Sequence, residues 1–350
     1  MTSSRPVGPR QPTLEDVARS AGVSRATVSR VVNGTRNVDP AIQKIVQEAV
    51  AATGYVPNRA ARTLVTRRTD SVALVFSVPD HHAEDDPFLG QVFTDPFFGR
   101  IVGGLLTVLR PRGVHPVLML ADSEDARRGL LAGLRREHTD GVVLVSIAPD
   151  DPLPLLLTEA GLPAVLFGRP TAEVPISFVD VGQQAGARLA VEHLLGRGCR
   201  RIATVAGPSD SPAGRDRLTG FRQAMAAHGH DRPIGVEGDF TQEGGERAMR
   251  RLLAEHPDVD GVFVANDLMA QGALHVLRDH GRRVPDDVAV IGFDDSSAAL
   301  ASRPLLTTVR QPVEDMAAEM AKLLMALIDD PAQQSRSVIF KTTLVRRESA

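Results

Sequence analysis

Between residues 13 and 54, apolar positions recur every three or four residues in three short runs. Leu14, Val17, Ala18 and Ala21 form the first stripe. Thr13 stands as its N-cap, with Asp16 three residues on, and Gly22 breaks it. Ser24 caps a second run containing Ala26, Val28, Val31 and Val32, which stops at Asn33-Gly34. Asp39-Pro40 opens a third, an N-cap followed by proline at the first helical position. Its inward positions are Ile42, Ile45, Val46, Ala49 and Val50, and Gly54 ends it. The spacing predicts three helices.

From Ser71 the period changes. Apolar runs of strand length alternate with helix-length segments: "VALVFSV" (72–78), "HPVLML" (115–120), "GVVLVSI" (141–147) and "PAVLF" (163–167). A second series reads "RIATVAG" (201–207), "IGVEGDF" (234–240), "GVFVAND" (261–267) and "VAVIGFDD" (288–295). Near-continuous apolar runs indicate parallel strands covered on both faces. Each series is a βαβ progression, so the expectation is an N-terminal all-α domain followed by two open parallel-sheet α/β domains. "ISFVD" (176–180) reads as a crossover and "VIFKTTLV" (338–345) as one closing strand. The predicted parts are a flexible N-terminus (1–11), a helical domain (12–57), and a hinge helix and linker (58–70). A first α/β subdomain takes 71–178 plus 310–335, and a second takes 179–309 plus 336–350.

Charge sharpens this division. Residues 1–70 hold eleven Lys and Arg against five Asp and Glu, a net +6, while the remaining 280 hold 29 against 38, a net −9. A basic head on an acidic body points to a polyanionic partner for the head. Cys199 is the single cysteine, which leaves no disulfide framework and fits a reducing cytoplasm. The opening "MTSSRPVGPRQP" has no apolar core of a signal peptide, and no run reaches the roughly 18 apolar residues of a membrane span. A cytoplasmic protein without membrane contact is expected.

Two short helices around a glycine turn make a helix-turn-helix, whose second helix can enter the major groove of double-stranded DNA. Arg25 and Arg30 each offer a fork to guanine, and Ser24, Thr27 and Ser29 suit phosphate. In the body, ligands of open α/β sheets sit beyond the carboxyl ends of strands. Those ends carry Ser77, Ser146, "FGRP" (167–170), Pro208 to Arg217, Asn266, Asp267, Asp294 and Asp295. Arginine and amide donors facing carboxylate acceptors suit a neutral polyhydroxyl ligand. Phe97 or Phe98 offers a ring face to a sugar, or an anchor for the following helix. His81 and His82 beside Glu84, Asp85 and Asp86 lack the spacing of a metal site and read as a solvated loop. There is no GxxxxGK[ST], HExxH or GxSxG, so neither enzyme chemistry nor a cofactor is expected. A periplasmic binder would share the body but carry a signal peptide and no basic head.

The string "TLEDVARSAGVSRATVSRVVNG" (13–34), followed by "VDPAIQKIVQEAVAATGYVPNRAARTL", resembles the LacI/GalR family of bacterial transcription regulators. "DGVVLVS", "RRIATVAGP", "RLTGF", "FVANDLMAQGAL", "RRVPDDVAVIGFDD" and "PLLTTVRQP" extend the likeness over residues 12–347. The resemblance implies a periplasmic-binding-protein-like body and a homodimer on a palindromic operator. It implies that Arg25 and Ala26 choose the operator, supported by Thr27, Ser29 and Arg30. Ala26 has no hydrogen-bonding group, so its part in base choice rests on a methyl contact. Thr13, Ser24, Asn33, Tyr55, Asn58, Arg59 and Ala61 complete the expected DNA contacts. Asn58 to Val65 match the family's hinge helix, in which Leu64 takes the place of the leucine that wedges into the minor groove. The implied effector contacts are Arg217, Asn266 and Asp294, and the strand-end loops of the first α/β domain add Ser77, Phe97 and Arg169 as the expected facing wall. "GYVPNRAARTLVTRRTD" and "APDDPLPLLL" resemble actinobacterial regulators of oligosaccharide use, of the cellobiose-responsive type. A di- or oligosaccharide that releases the operator is therefore expected, the alternative being a co-repressor such as a nucleobase. Dimer contacts are expected from the helix after Phe98 and from helix 268–280. The absence of a leucine heptad after the last strand favours a dimer over a tetramer.

Overall fold

A computed structural model describes residues 12–32, 38–55, 68–78, 95–136, 139–146, 150–230 and 232–350. The chain divides into two compact units, Met1–Asp70 and Ser71–Ala350.

The first unit contains α1 (Leu14–Ala21), α2 (Arg25–Val32) and α3 (Pro40–Thr53). The Asp16 carboxylate accepts from both the backbone N–H and the hydroxyl of Thr13, fixing the start of α1. Gly22 ends α1 at φ 65°, a left-handed turn that glycine enters without penalty. The Ser24 hydroxyl then accepts from the Thr27 N–H, and the Asp39 carboxylate accepts from the Ala41 N–H. Val17, Val28, Val46 and Ala49 make the core of this unit. Ile45, expected inward, is 46% exposed: it falls on the outer face of α3, one position before Val46. The expected hinge helix, with Asn58, Arg59, Ala61 and Leu64, and also Asn33, lie outside the described residues.

The second unit has two six-stranded sheets. The first contains β1 (Ser71–Ser77), β2 (His115–Ala121), β3 (Gly141–Ser146), β4 (Ala164–Phe167), β5 (Ser177–Val181) and β11 (Ser337–Phe340). The order is β11-β5-β4-β3-β1-β2, all parallel. The second contains β6 (Ile202–Ala206), β7 (Ile234–Glu237), β8 (Gly261–Val264), β9 (Ala289–Asp294), β10 (Thr307–Arg310) and β12 (Thr343–Val345). Its order is β12-β10-β9-β8-β6-β7, with β12 antiparallel to β10.

Both faces of each sheet are covered, which accounts for the continuous apolar runs. Val72, Leu74 and Phe76 of β1 face α4 (Pro96–Leu109) and α12 (Val313–Asp329). Ala73 and Val75 face α5 (Glu124–Arg136) and α6 (Leu153–Glu159). In the second sheet, Phe263, Ile291 and Phe293 pack under α7 (Gln183–Gly196) and α8 (Pro212–Ala227). Val262, Val264, Val288 and Val290 pack under α9 (Gln242–Glu255) and α10 (Asp267–Asp279). A Cβ on Gly220 would run into the backbone of Gln184, so α8 approaches α7 this closely only because no side chain intervenes. A short α11 (Ser297–Ala301) comes after β9.

Three details differ from the sequence expectation. "ISFVD" is not a crossover but a strand of the first sheet, so the first sheet runs past residue 178 to Val181. The closing stretch is two strands, not one: Ser337–Phe340 pairs with β5 and Thr343–Val345 with β10, which places 337–340 in the first sheet rather than the second. The strand Thr307–Arg310 is not evident in the sequence pattern; four residues with two threonines and a terminal arginine give little apolar signal. No helix among the described residues is long and apolar enough to cross a membrane.

Candidate functional site

In the head, α2 presents Ser24, Arg25, Ala26 and Arg30 on the exposed surface, with Thr27 and Ser29 half-buried. The Arg25 Nε lies 2.8 Å from the Glu15 carboxylate, both side chains being mostly exposed. Thr13 spends its hydroxyl on Asp16, and Tyr55 packs against the helical core. One helix thus displays two guanidinium forks and a small apolar residue in its first two turns, the arrangement needed to read a groove.

In the body, a cavity of about 260 Å³ lies beyond the carboxyl ends of β3 and β4. Its first wall includes Phe97, Ser146, Asp151, Phe167 and Arg169. Its second wall includes Ser211, Arg215, Asp216 and Arg217, and Asp180, Gln183 and Gln311 close the back. Ser211 caps α8 by accepting from Gly214 N–H, which fixes where Arg217 emerges two turns on.

Arg217 is the organising side chain. It is 5% exposed and its guanidinium carbon sits 3.7 Å from the Phe293 ring centroid. Its Nε donates to Gln183 Oε1 at 2.8 Å, Nη1 to the Ala265 carbonyl at 2.6 Å, and Nη2 to Gln311 Oε1 at 3.1 Å. Nη2 also stands 3.5 Å from the Asp294 carboxylate. Burial depresses the Arg217 pKa, with Asp294 the chief opposing charge; a guanidinium stays protonated regardless.

Carboxylates crowd around it. Asp267 is 1% exposed and accepts from the Thr308 hydroxyl at 2.6 Å and the Ser296 N–H at 2.7 Å. Burial, then the nearby Asp294 charge, pushes its pKa up to about 8. Burial also raises Asp294, against the pull of Arg217 and Arg100. Asp95 caps α4 through the Phe97 N–H and is pushed up to about 6, chiefly by burial. Asp180 is raised by burial too, opposed first by the Val181 N–H. Asp294 and Asp295 both adopt positive φ, 109° and 53°, a strained turn of the kind that clusters at ligand clamps. Arg100 on α4 reaches that turn. Its Nη1 donates to the Asp294 carbonyl at 2.9 Å, while Nε and Nη2 grip Glu314.

The expected effector residues therefore separate. Phe97, Arg169 and Arg217 line the cavity. Of the two candidate rings Phe97 is the one at the cavity; Phe98 is 7% exposed and meets Phe76 edge-on in the core. Ser77, Asn266 and Asp294 are not among the described lining. Ser77 is fully buried and accepts from Arg127 Nε at 3.3 Å. Asn266 caps α10, accepting from the Met269 N–H and donating to the Phe240 carbonyl, both at 2.9 Å. Asp294 acts from behind, through Arg217. Asp151, Asp180, Gln183, Asp216 and Gln311 also line the cavity, and the sequence reading does not single them out. Asp180 and Gln183 lie in or just after the segment that reads as a crossover, and Gln311 sits in the turn after β10, a strand with little signal. His81, His82, Glu84, Asp85 and Asp86 lie outside the described residues. Among the described residues no group of His, Cys, Asp and Glu is arranged to hold a metal ion. Cys199 is half-buried beside Asp260, and burial raises its thiol pKa, away from reactivity.

Comparison with known proteins matches the head and the later part of the body to two family models. Residues 13–58 match the model of bacterial regulatory proteins of the lacI family, and residues 191–350 that of the periplasmic binding protein-like domain. The chain is 48% identical over 344 residues to the HTH-type transcriptional regulator CelR of Thermobifida fusca, covering 97% of this chain and 98% of that one. It is 34% identical over 345 residues to the HTH-type transcriptional regulator GalR of Escherichia coli (strain K12), covering 96% and 95%. A solved complex of the transcriptional regulator CelR with cellobiose superposes with a TM-score of 0.74 at 45% identity, covering 97% of this chain and all of that one. The lac repressor dimer bound to operator and the anti-inducer ONPF superposes at 0.79 with 27% identity, covering 97% and 99%.

Proposed function

The chain belongs to the lacI family of bacterial regulatory proteins, a DNA-binding transcription regulator, and from that premise we propose that it is a homodimeric repressor released from a palindromic operator by a neutral sugar. The cavity carries this reading. Its lining balances three carboxylates (Asp151, Asp180, Asp216) against three guanidinium groups (Arg169, Arg215, Arg217). Hydroxyl groups donate to carboxylates and accept from guanidinium, so a polyol satisfies both without bringing a charge. Phe97 and Phe167 add apolar ring surface for a sugar face. The cellobiose complex of the CelR relative makes cellobiose the first sugar to test. Nothing in the cavity or the relatives favours a nucleobase co-repressor.

In this reading the cavity contacts are Phe97, Arg169 and Arg217, with Asn266 and Asp294 holding the wall behind them and Ser77 bracing β1 through Arg127. The operator is read by Arg25 and Ala26, supported by Thr13, Ser24, Thr27, Ser29 and Arg30. Asn33, Tyr55, Asn58, Arg59, Ala61 and Leu64 complete that surface on the resemblance alone. Sugar binding shifts the angle between the two sheets and so the operator affinity, a coupling of about 1–3 kcal/mol.

The test is fluorescence anisotropy of the full-length protein on a labelled palindromic operator at fixed salt, titrated with cellobiose and a panel of sugars. Salt is fixed because phosphate contacts make affinity strongly salt-dependent. Release by one sugar is the expected result. Specific operator binding that no sugar weakens overturns the sugar reading, and absence of specific binding overturns the operator reading.

A further inference from the structure

Asp180 stands one residue before the end of β5, at the back of the cavity. Its Oδ1 accepts from the Val181 N–H at 2.7 Å and from Gln183 Nε2 at 3.4 Å, which fixes the carboxylate plane. No described residue donates to Oδ2. Among the buried and half-buried side chains described, the only nitrogen or oxygen atoms sealed from solvent without a partner are Asp151 Oδ2 and His193 Nε2. The unpartnered Asp180 Oδ2 is therefore open, and it opens on the cavity. Burial works against the Asp180 charge, with the Val181 N–H its chief support, so a further donor is worth most at this oxygen. The nearest cations do not supply it. Arg217 spends its donors on Gln183, Ala265 and Gln311. Arg169, exposed after β4 and lining the same cavity, favours the Asp180 charge from a distance but forms no ion pair with it. A hydroxyl between the two groups can donate to the carboxylate and accept from the guanidinium at once.

Resting on the sugar reading above, we infer that Asp180 is a specificity-determining residue that shares one hydroxyl of the effector with Arg169. Asp180 Oδ2 accepts a hydrogen bond from that hydroxyl and Arg169 donates one to its oxygen. The pair sets the chain's preference at a single ring position. A sugar lacking that hydroxyl leaves the carboxylate oxygen unserved, and one carrying a carboxylate or phosphate there sets a like charge against it, so both bind poorly.

The experiment is calorimetric titration of the full-length protein with cellobiose and with its monodeoxy analogues. Two variants are compared with wild type. Asp180→Asn keeps an oxygen for the Val181 N–H and Gln183 and turns the cavity-facing oxygen into a donor. Arg169→Gln removes the guanidinium from an exposed position, so it folds whatever the change at Asp180 does. Asp180→Asn is expected to bind cellobiose about tenfold or more weakly, the usual worth of a charge-assisted hydrogen bond, and Arg169→Gln several-fold more weakly. One monodeoxy analogue is expected to lose about tenfold on wild type and little further on either variant, the coupling that identifies a direct contact. The other analogues should lose equally on all three proteins. If Asp180 serves only to hold Gln183 in place, Asp180→Asn weakens cellobiose and every analogue alike, and that result overturns the assignment. So do variants that bind cellobiose within twofold of wild type, or variants that lose their sensitivity at two different ring positions. Failure of wild type to bind cellobiose or any other sugar overturns the sugar reading first and this one with it, and the first titration tells the two failures apart.

Discussion

Replacing Arg217 by methionine is the sharpest test of the cavity as a built structure. Methionine keeps much of the volume and can lie on the Phe293 ring as the guanidinium does at 3.7 Å. What it removes is every donor. Gln183 Oε1, the Ala265 carbonyl and Gln311 Oε1 each lose a bond of 3.1 Å or less. The Asp294 carboxylate, with a side chain 14% exposed, loses its 3.5 Å counter-charge. Three orphaned neutral acceptors at about 1–3 kcal/mol each would sum to more than the protein can spare. Rotation of the two glutamines toward the cavity water recovers part of that, and Asp294, already raised by burial, escapes by taking up a proton. The net cost expected for breaking such a buried pair is about 3–5 kcal/mol. For the 280-residue unit this is a drop of about 6–10 °C in melting temperature, followed by circular dichroism or calorimetry at pH 7. Because an Asp294 freed of Arg217 takes up its proton more readily, the variant regains part of the loss as pH falls toward 5. A variant that melts within about 2 °C of wild type, with no pH-dependent difference, refutes the account of Arg217 as the member holding this wall together.

The other two predictions concern protons and DNA. Asp267, pushed up to about 8, and Asp95, up to about 6, hold protons in the folded state that the unfolded chain has already lost. A raised carboxyl contributes stability that is full below its unfolded value near 4 and is lost as pH rises through the folded value. Melting temperature should therefore fall between pH 5 and 8. Asp267→Asn should be the more stable protein at pH 8 and show a flatter curve, since an amide can serve both the Thr308 hydroxyl and the Ser296 N–H. His193, held below its usual value by burial, pulls the other way as pH falls below about 6.5, so the difference between variant and wild type is the quantity to measure; a difference that does not change with pH refutes the proton assignment. In the head, Arg25→Ala should weaken operator binding by about 1–3 kcal/mol and relax preference at one base position. Its ion pair with Glu15 is mostly exposed and should leave melting unchanged. Anisotropy against single-base operator variants checks this, and uniform weakening across all bases would make Arg25 a phosphate contact instead.

The architecture was legible in the sequence because its two periods are strong. Helix caps at Ser24 and Asp39, the glycine stop at Gly22 and the continuous apolar strands are local features, decided within a few residues. The errors lie where the chain crosses between sheets. Strand β5 has the apolar signal of a strand yet reads as a connection, because its role depends on which sheet it joins, a non-local fact. The division of residues 337–345 between two sheets is non-local in the same way. The site was half legible for a related reason. Arg217 announces itself as an arginine in the first turns of the helix that follows an apolar strand. Gln183, Gln311 and Arg100 matter only because the crossovers bring residues far apart in sequence to one point, and a glutamine has no chemistry that singles it out. Asn266 is legible as a polar group at a strand end, and its amide serves the cap of α10 with its oxygen and the Phe240 carbonyl with one N–H.

Those crossovers also border the cavity. The chain passes from the first sheet to the second just after β5, at Gln183, and returns just after β10, at Gln311. Arg217 donates to both of these glutamines at once. A ligand that draws on Arg217 or displaces either glutamine therefore acts on two of the three connections between the sheets, the third being the step from β11 to β12. Arg100 supplies the complementary tie. It stands on a helix of the first sheet, holds the Gln311 carbonyl at 3.1 Å and grips the Asp294 carbonyl at the strained end of β9 in the second. Two guanidinium groups thus meet at Gln311, one facing the cavity and one behind it. A sub-ångström shift at the first must be taken up by the second, because packed cores on either side are too dense to absorb it. That gives sugar binding a physical route to the angle between the sheets.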